Sequence, residues 1–199
     1  MTQANRIPFA CLFITIAVMI WSGINPYDRL TWWMEVAPVL IAWAVLIPTY
    51  CKFRLSDLLF ALVAVHAIIL MVGGHYTYAR VPFMELLGEG RNNYDKIGHF
   101  AQGFIPAIAA RELLLRTSPM KTGKWLFAMV VLCCLGISAI YELVEWTAAV
   151  IYGGSANEFL GSQGDVWDTQ KDMMWCGIGA ISALLLLSKL HDRALKPVA

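Results

Sequence analysis

Two short segments of the chain carry polar side chains at the spacing of an α-helix. Asp95 and His99 are four residues apart and Gln102 follows three residues later, so the three side chains share one helix face. Glu142 and Glu145 lie three residues apart in the second segment. A histidine nitrogen combined with carboxylate oxygens is typical of a divalent metal site. These segments therefore predict chemistry based on a bound cation or on shared protons.

A third segment places three aspartates on one helix face, with spacings of three and four residues. Carboxylates gathered in this way repel one another, and a cation or shared protons must compensate them. We predict a zinc or manganese ion as the cofactor, because both accept imidazole and carboxylate ligands. The predicted metal ligands are Asp95, His99, Glu142, Asp165, Asp168 and Asp172.

The composition shows what kind of fold must position these side chains. Of the 199 residues, 59% are hydrophobic and only 15% are charged, and the mean hydropathy is +0.61. A soluble domain has about 25% charged residues. The composition therefore excludes a disordered chain, a fibrous protein and an ordinary soluble enzyme. It predicts an all-α fold, a polytopic membrane helical bundle in which residues 1–199 form one integral-membrane domain. The net charge of +1 gives no indication of nucleic acid as a partner.

Six apolar segments approach the length of about 20 residues that a bilayer requires. The predicted transmembrane helices are Ile7–Gly23, Trp33–Tyr50, Leu58–Gly73, Ile97–Leu115, Trp125–Tyr152 and Met173–Leu190.

The odd number of cysteines, five, and the absence of a CxxC pair predict free, buried thiols.

The distribution of lysine and arginine predicts the orientation, because basic residues concentrate on the cytoplasmic side of a membrane protein. With both termini inside, ten of the fifteen basic residues are cytoplasmic, whereas eleven of the fourteen acidic residues lie toward the outside. The cytoplasmic basic residues are Arg6, Lys52, Arg54, Arg111, Arg116, Lys121, Lys124, Lys189, Arg193 and Lys196.

This orientation brings the three polar groups to the same depth, in the outer halves of the fourth, fifth and sixth helices. We therefore predict a site on the periplasmic side. The alternative is that single acids cap helix ends in water, and Asp95 and Asp168 are the candidates for that role. Of the other histidines, His66 is predicted to be a hydrogen-bonded packing residue, His75 a weaker member of the site, and His191 a cytoplasmic surface residue.

The three motifs, Asp-Lys-x-x-His, Tyr-Glu-x-x-Glu and Gly-Asp-x-x-Asp-x-x-x-Asp, resemble those of the YjdF family of bacterial inner-membrane proteins over nearly the whole chain. The pattern is more remotely similar to the VanZ-like membrane proteins, which are associated with glycopeptide resistance. Those proteins more usually have asparagine near the position of Asp172. The resemblance implies a fold and a location rather than a reaction. The polar positions that it implies to be shared are Asp95, Lys96, His99, Glu142, Glu145, Asp165 and Asp168.

Three functions are compatible with this pattern. We favour a metal-dependent enzyme, of the hydrolase or transferase type, that acts on a lipid or lipid-linked envelope substrate. The alternatives are an ion- or proton-coupled transporter and a non-catalytic protein that binds a lipid or a partner. The sequence leaves the oligomeric state open. The predicted catalytic residues are Glu145, Asp168 and Lys96, and the predicted substrate-binding residues are Gln102, Arg91 and Lys171.

Overall fold

A computed structural model describes residues 6–84, 92–152 and 163–195 of the chain. These residues form six α-helices and no strand, which confirms the predicted all-α fold. The helices are α1 (Arg6–Gly23), α2 (Arg29–Thr49), α3 (Asp57–Tyr76), α4 (Tyr94–Thr117), α5 (Lys124–Tyr152) and α6 (Asp168–Leu195).

Five of the six helices are long and apolar enough to cross a membrane, and α4 is the exception. α4 has 24 residues, which is sufficient length, but it carries charged residues in its first and last turns. Large apolar side chains are exposed along the other helices, such as Phe13 at 75% and Leu185 at 72%. Exposed apolar surface of this extent is the face that a bilayer covers. The chain is therefore a polytopic helical membrane protein.

The packing order explains how α4 tolerates its charges. α3 packs against α1 and α2 on one side and against α4 on the other, and α4 also packs against α5 and α6. α4 thus faces protein over much of its surface. Its middle turns contribute Ala107 and Ile108 to an apolar core that includes Val130 of α5 and Ala180 of α6. Pro106 is accommodated inside α4, as membrane helices permit when neighbouring groups satisfy the freed carbonyls.

Two glycines bring the backbones of α4 and α6 into direct contact. A Cβ atom on Gly103 would lie 1.8 Å from the carbonyl oxygen of Cys176, and one on Gly179 would lie 2.1 Å from that of Phe100. No side chain fits at either position without separating the helices. This contact fixes the N-terminal halves of α4 and α6 relative to each other.

The last turns of α4 hold a buried polar network, here called the Glu112 network, which ties α4 to α3 and α6. The carboxylate of Glu112 is fully buried. It accepts hydrogen bonds from the backbone N–H and the hydroxyl of Ser56 at 2.9 and 2.6 Å, and from Arg116 at 2.8 Å. Nε2 of His191 lies 3.1 Å from the same carboxylate, and Arg111 contacts Nδ1 of His191 at 2.8 Å.

The Glu112 network corrects one prediction. His191 is completely buried rather than on the surface, because it fills the gap between Glu112 and Arg111. Arg111 also reaches Asp192, at 2.6 Å. All five cysteines are free thiols as predicted, but Cys51 and Cys133 are exposed rather than buried.

Candidate functional site

At the opposite end of α4, one histidine and two aspartates bring their donor atoms together. Asp95 and His99 lie on α4 and Asp172 lies on α6. One donor atom from each residue falls within 4.8 Å of the others. Nε2 of His99 is 3.3 Å from Oδ1 of Asp95 and 3.8 Å from Oδ2 of Asp172. Ligands about 2.0–2.2 Å from a tetrahedral zinc ion are separated by about 3.3–3.6 Å. The three side chains therefore have nearly the spacing of a metal site.

Gln102 orients the imidazole of His99. The amide oxygen Oε1 of Gln102 lies 2.9 Å from Nδ1 of His99, so it accepts the Nδ1–H hydrogen bond. The other ring nitrogen, Nε2, then faces the carboxylates of Asp95 and Asp172. Metal-bound histidines typically donate their second ring N–H to a neighbouring acceptor in this way. Gln102 therefore positions the imidazole of His99. Its role in substrate binding stays a prediction.

Glu142 of α5 completes what we call the His99 cluster, namely Asp95, His99, Glu142 and Asp172. Its Oε1 atom lies 3.9 Å from Nδ1 of His99. This oxygen is buried and accepts no hydrogen bond from any residue that the structure describes. Each of the four side chains is at most 9% exposed. A buried carboxylate oxygen without a donor is costly, and a bound cation or proton would offset that cost.

The remaining predicted site residues lie around this cluster. Asp168 is in the first turn of α6, as the helix-end alternative predicts, but it is only 8% exposed and is therefore not solvated. Asp165 lies further out and forms an ion pair with Lys171 at 2.5 Å. Lys96 is partly buried in the first turn of α4. Arg91 lies outside the described residues. Asp168 interacts electrostatically with Glu142 and Asp172 of the cluster, whereas the Asp165–Lys171 pair lies at its margin.

A cavity of about 280 Å³ adjoins the His99 cluster between α2, α3, α4 and α5. Its lining includes Glu145, which was predicted from the sequence, and Glu35, which was not. Glu35 is only 4% exposed, and the hydroxyl of Tyr141 donates a hydrogen bond to its Oε2 atom at 3.3 Å. The sequence signal for Glu35 was weak, because it is the single carboxylate within an apolar helix and no other ionisable side chain lies three or four residues away.

The other two histidines have separate surroundings. His66 lines the deep part of the cavity, and its buried Nε2 atom has no hydrogen-bond partner among the described residues, contrary to the prediction of a hydrogen-bonded packing residue. His75 stacks on Trp21, and its Nδ1 atom lies 2.9 Å from the carbonyl oxygen of Ser22. His75 therefore ties α3 to α1 and contributes nothing to the cluster.

Comparison with known proteins gives two matches. A family model described as "Predicted membrane protein (DUF2238)" matches residues 7–193. The chain is 48% identical over 183 residues to the inner membrane protein YjdF of Escherichia coli (strain K12), covering 90% of this chain and 88% of the relative. No solved structure matches. The resemblance predicted from the polar motifs is confirmed. Together with the apolar helices, it supports a multi-pass location in the inner membrane.

Proposed function

Since the chain belongs to the DUF2238 family of predicted membrane proteins, we propose that it is a metal-dependent inner-membrane enzyme acting on a lipid or lipid-linked envelope substrate. One observation carries the proposal, the convergence of Asp95, His99 and Asp172 beside a cavity. A zinc or manganese ion at these donors would activate water or polarise an oxygen of the substrate. The reaction would be a hydrolysis or a group transfer.

The surrounding carboxylates have distinct roles in this proposal. Glu145 lines the cavity but does not belong to the three-residue donor group, so it is the general base that accepts a proton from the attacking group. Glu142 and Asp168 are further ligands or proton acceptors next to the ion. Lys96, on the same first turn as Asp95, serves as the cation that balances charge developing on the substrate. The basic residues at the other end of the helices support a periplasmic orientation of the site.

The transporter alternative has less support. An ion pathway needs polar groups through the full depth of the bundle. Between the His99 cluster and the Glu112 network, however, α4 packs in an apolar core through Ile105, Ala107 and Ile108. At the far end, the Glu112 network engages Glu112, Arg111 and His191 with one another. The non-catalytic alternative uses the same metal site without turnover, and the experiment below separates it.

The test compares two histidine variants of the purified protein, reconstituted in bilayers and loaded with zinc or manganese. We expect about one divalent ion per chain in the wild type by elemental mass spectrometry. His99→Ala loses the ion and His75→Ala keeps it, because His75 lies at the same end of the bundle but contacts Ser22 instead. Incubation with envelope lipids, followed by lipid mass spectrometry, gives products with the wild type and His75→Ala only.

Four results would redirect the proposal. A wild type that retains no stoichiometric metal, or a His99→Ala variant with full activity, contradicts a metal-dependent enzyme. Bound metal without any lipid product supports the non-catalytic alternative. Proton or cation flux into liposomes that is lost in Asp168→Asn supports the transporter.

A further inference from the structure

The cavity beside the His99 cluster reaches from the end of the bundle to its middle. Its lining begins at Asp95 and extends to Pro106 on α4, which are eleven residues apart. At 1.5 Å per residue, that separation corresponds to about 16 Å, or roughly half of a bilayer's hydrocarbon thickness. The cavity therefore extends from the level of the site into the hydrocarbon region.

The polar lining consists of carboxylates, one amide, two tyrosine hydroxyls and two histidines, without a lysine or an arginine. Glu35, Asp95 and Glu145 contribute carboxylates, and Gln102 contributes an amide. None of the lining residues, all of which the structure describes, is Lys or Arg. Lys171, a predicted substrate-binding residue, instead pairs with Asp165 at the margin.

A bound metal ion would not make the cavity positively charged. One divalent ion at the donor group is neutralised by its two carboxylate ligands, Asp95 and Asp172. Glu35 and Glu145 remain in the cavity beside it, and neither supplies a positive charge that would hold a phosphate group. Hydroxyl groups, in contrast, donate hydrogen bonds to carboxylates and to amide oxygens.

The cavity wall is incompletely covered at α5. Ile137 lines the cavity and is 48% exposed, so we assign a lateral opening toward lipid to this position. Glu35 of α2 and Tyr141 of α5 bridge the same gap through their hydrogen bond. Deeper in the cavity, the buried Nε2 atom of His66 has no hydrogen-bond partner among the described residues, so an occupant with a polar atom at that level would satisfy it.

From these observations we infer that the cavity binds the uncharged, hydroxyl-bearing headgroup of a membrane amphiphile, whose chain leaves past Ile137 into the bilayer. This inference rests on the proposed function insofar as the cavity is the substrate site. It narrows the substrate class from lipids in general to lipids with a glycosyl-type or other hydroxylated head. Phospholipids are thereby disfavoured as substrates.

The test measures lipid retention by native mass spectrometry, in a polyoxyethylene detergent, with three probes that carry identical acyl chains. The probes are a monoglucosyl diacylglycerol, a phosphatidylglycerol and a diacyl trimethylammonium lipid. We expect the glucosyl lipid to be retained about tenfold more strongly than the other two, the equivalent of one or two net hydrogen bonds. Stronger or equal retention of the phosphatidylglycerol, or of the ammonium lipid, overturns the inference.

Two variants and one control test whether the lipid binds in this cavity. Ile137→Trp fills the opening, whereas Ile140→Trp adds the same bulk at a 63% exposed position that does not line the cavity. We expect Ile137→Trp and Glu35→Leu each to weaken retention of the glucosyl lipid by about tenfold. Ile140→Trp should stay at the wild-type level. If Ile137→Trp, folded by circular dichroism, behaves as Ile140→Trp does, the lipid binds elsewhere and the inference is wrong.

Metal content measured on the same samples separates this inference from the proposed function. If the protein retains the glucosyl lipid but cannot be loaded with metal, the proposal of a metal-dependent enzyme is contradicted. The assignment of the cavity as a lipid-binding site then remains. Metal loading with preferred retention of phosphatidylglycerol contradicts only the headgroup assignment.

Discussion

The two ends of α4 both bury charged side chains, but their hydrogen-bonding balance differs. In the Glu112 network, one carboxylate receives hydrogen bonds from Ser56 and Arg116 and contacts His191. In the His99 cluster, three carboxylates surround one imidazole, and Oε1 of Glu142 accepts no hydrogen bond from a described residue. A saturated network stabilises a fold. An excess of acceptors instead leaves a place for a cation or a hydrogen-bond donor.

The same substitution at each end tests this difference, and it has the largest expected effect. Glu112→Gln replaces an acceptor that faces Ser56, Arg116 and His191, so it removes a buried charge partner and presents a donor to donors. We expect a loss of about 3–5 kcal/mol in the free energy of unfolding. Unfolding of the purified protein in mixed micelles measures it.

Glu142→Gln is the matched control at the other end. Its amide can donate to the surrounding acceptors, so we expect the free energy of unfolding to change by less than about 1 kcal/mol, in either direction. If both variants lose similar stability, the two ends do not differ in the way proposed.

The hydrogen bond from His99 to Gln102 gives the next largest effect. Gln102→Leu removes the acceptor that fixes the imidazole, and we expect a loss of about 10–100-fold in zinc or manganese affinity. Isothermal titration calorimetry of the metal-free protein measures the affinity. Gln170→Leu, at an exposed position in the first turn of α6, should leave it unchanged. Equal affinities for the two variants would exclude Gln102 as an orienting residue.

The glycine contact between α4 and α6 lies between the two ends and determines whether the His99 cluster assembles. Gly103→Ala places a Cβ atom against the backbone of Cys176, and we expect a cost of about 1–3 kcal/mol together with weaker metal binding. Gly136→Ala in α5 has nothing within 4 Å and should be neutral or stabilise the protein by up to about 1 kcal/mol. Thermal unfolding with and without metal separates these outcomes. Unaltered metal affinity in Gly103→Ala would show that the helix spacing does not control the site.

The smallest expected effect is at Asp28, which lies at the same end of the bundle as the His99 cluster. Its carboxylate accepts a hydrogen bond, so it serves as a reference for the Glu142 oxygen that accepts none from a described residue. It caps α2, and the backbone N–H of Thr31 donates to its Oδ1 atom at 2.7 Å. This hydrogen bond holds the pKa of Asp28 below its usual value. The contribution of Asp28 to the free energy of unfolding is therefore fully present above its pKa in the unfolded chain, about 3.9. It is lost as the pH falls through the lower pKa of the folded protein.

We expect Asp28→Ala to lose about 1 kcal/mol at neutral pH. Asp28→Asn also caps the helix, so it should keep most of that stability and remove the acid-dependent part. Unfolding measured between pH 3 and 7 would contradict this if Asp28→Asn retained the pH dependence of the wild type.

The hydropathy pattern predicted all six helices, but several predicted segments are shorter than the helices in the structure. α4 begins at Tyr94 and α6 at Asp168, whereas the predicted segments begin at Ile97 and Met173. A hydropathy pattern detects the part of a helix that lies in hydrocarbon. The polar residues at the starts of α4 and α6, among them Asp95 and Asp168, lie beyond that part.

The site was predictable where its residues share a helix, because the three- and four-residue spacings of Asp95, His99 and Gln102 are visible in the sequence. Glu35 was missed because its partner Tyr141 is 106 positions away. The pairing of Glu112 with His191 was missed for the same reason, since 79 positions separate the two residues. Long-range partners depend on how helices pack, and single-helix periodicity contains no information about that.

The composition of α4 also has a consequence for how the protein is made. Each charged residue adds about 2.5–3.5 kcal/mol to the insertion of a lone helix near the bilayer centre, and less toward the interfaces. α4 carries charged residues at both ends and lacks the apolar window of the other five helices. We therefore expect α4 to enter the membrane only with α5 and α6, after the ribosome has synthesised them, so that the helix bearing His99 is among the last to be integrated.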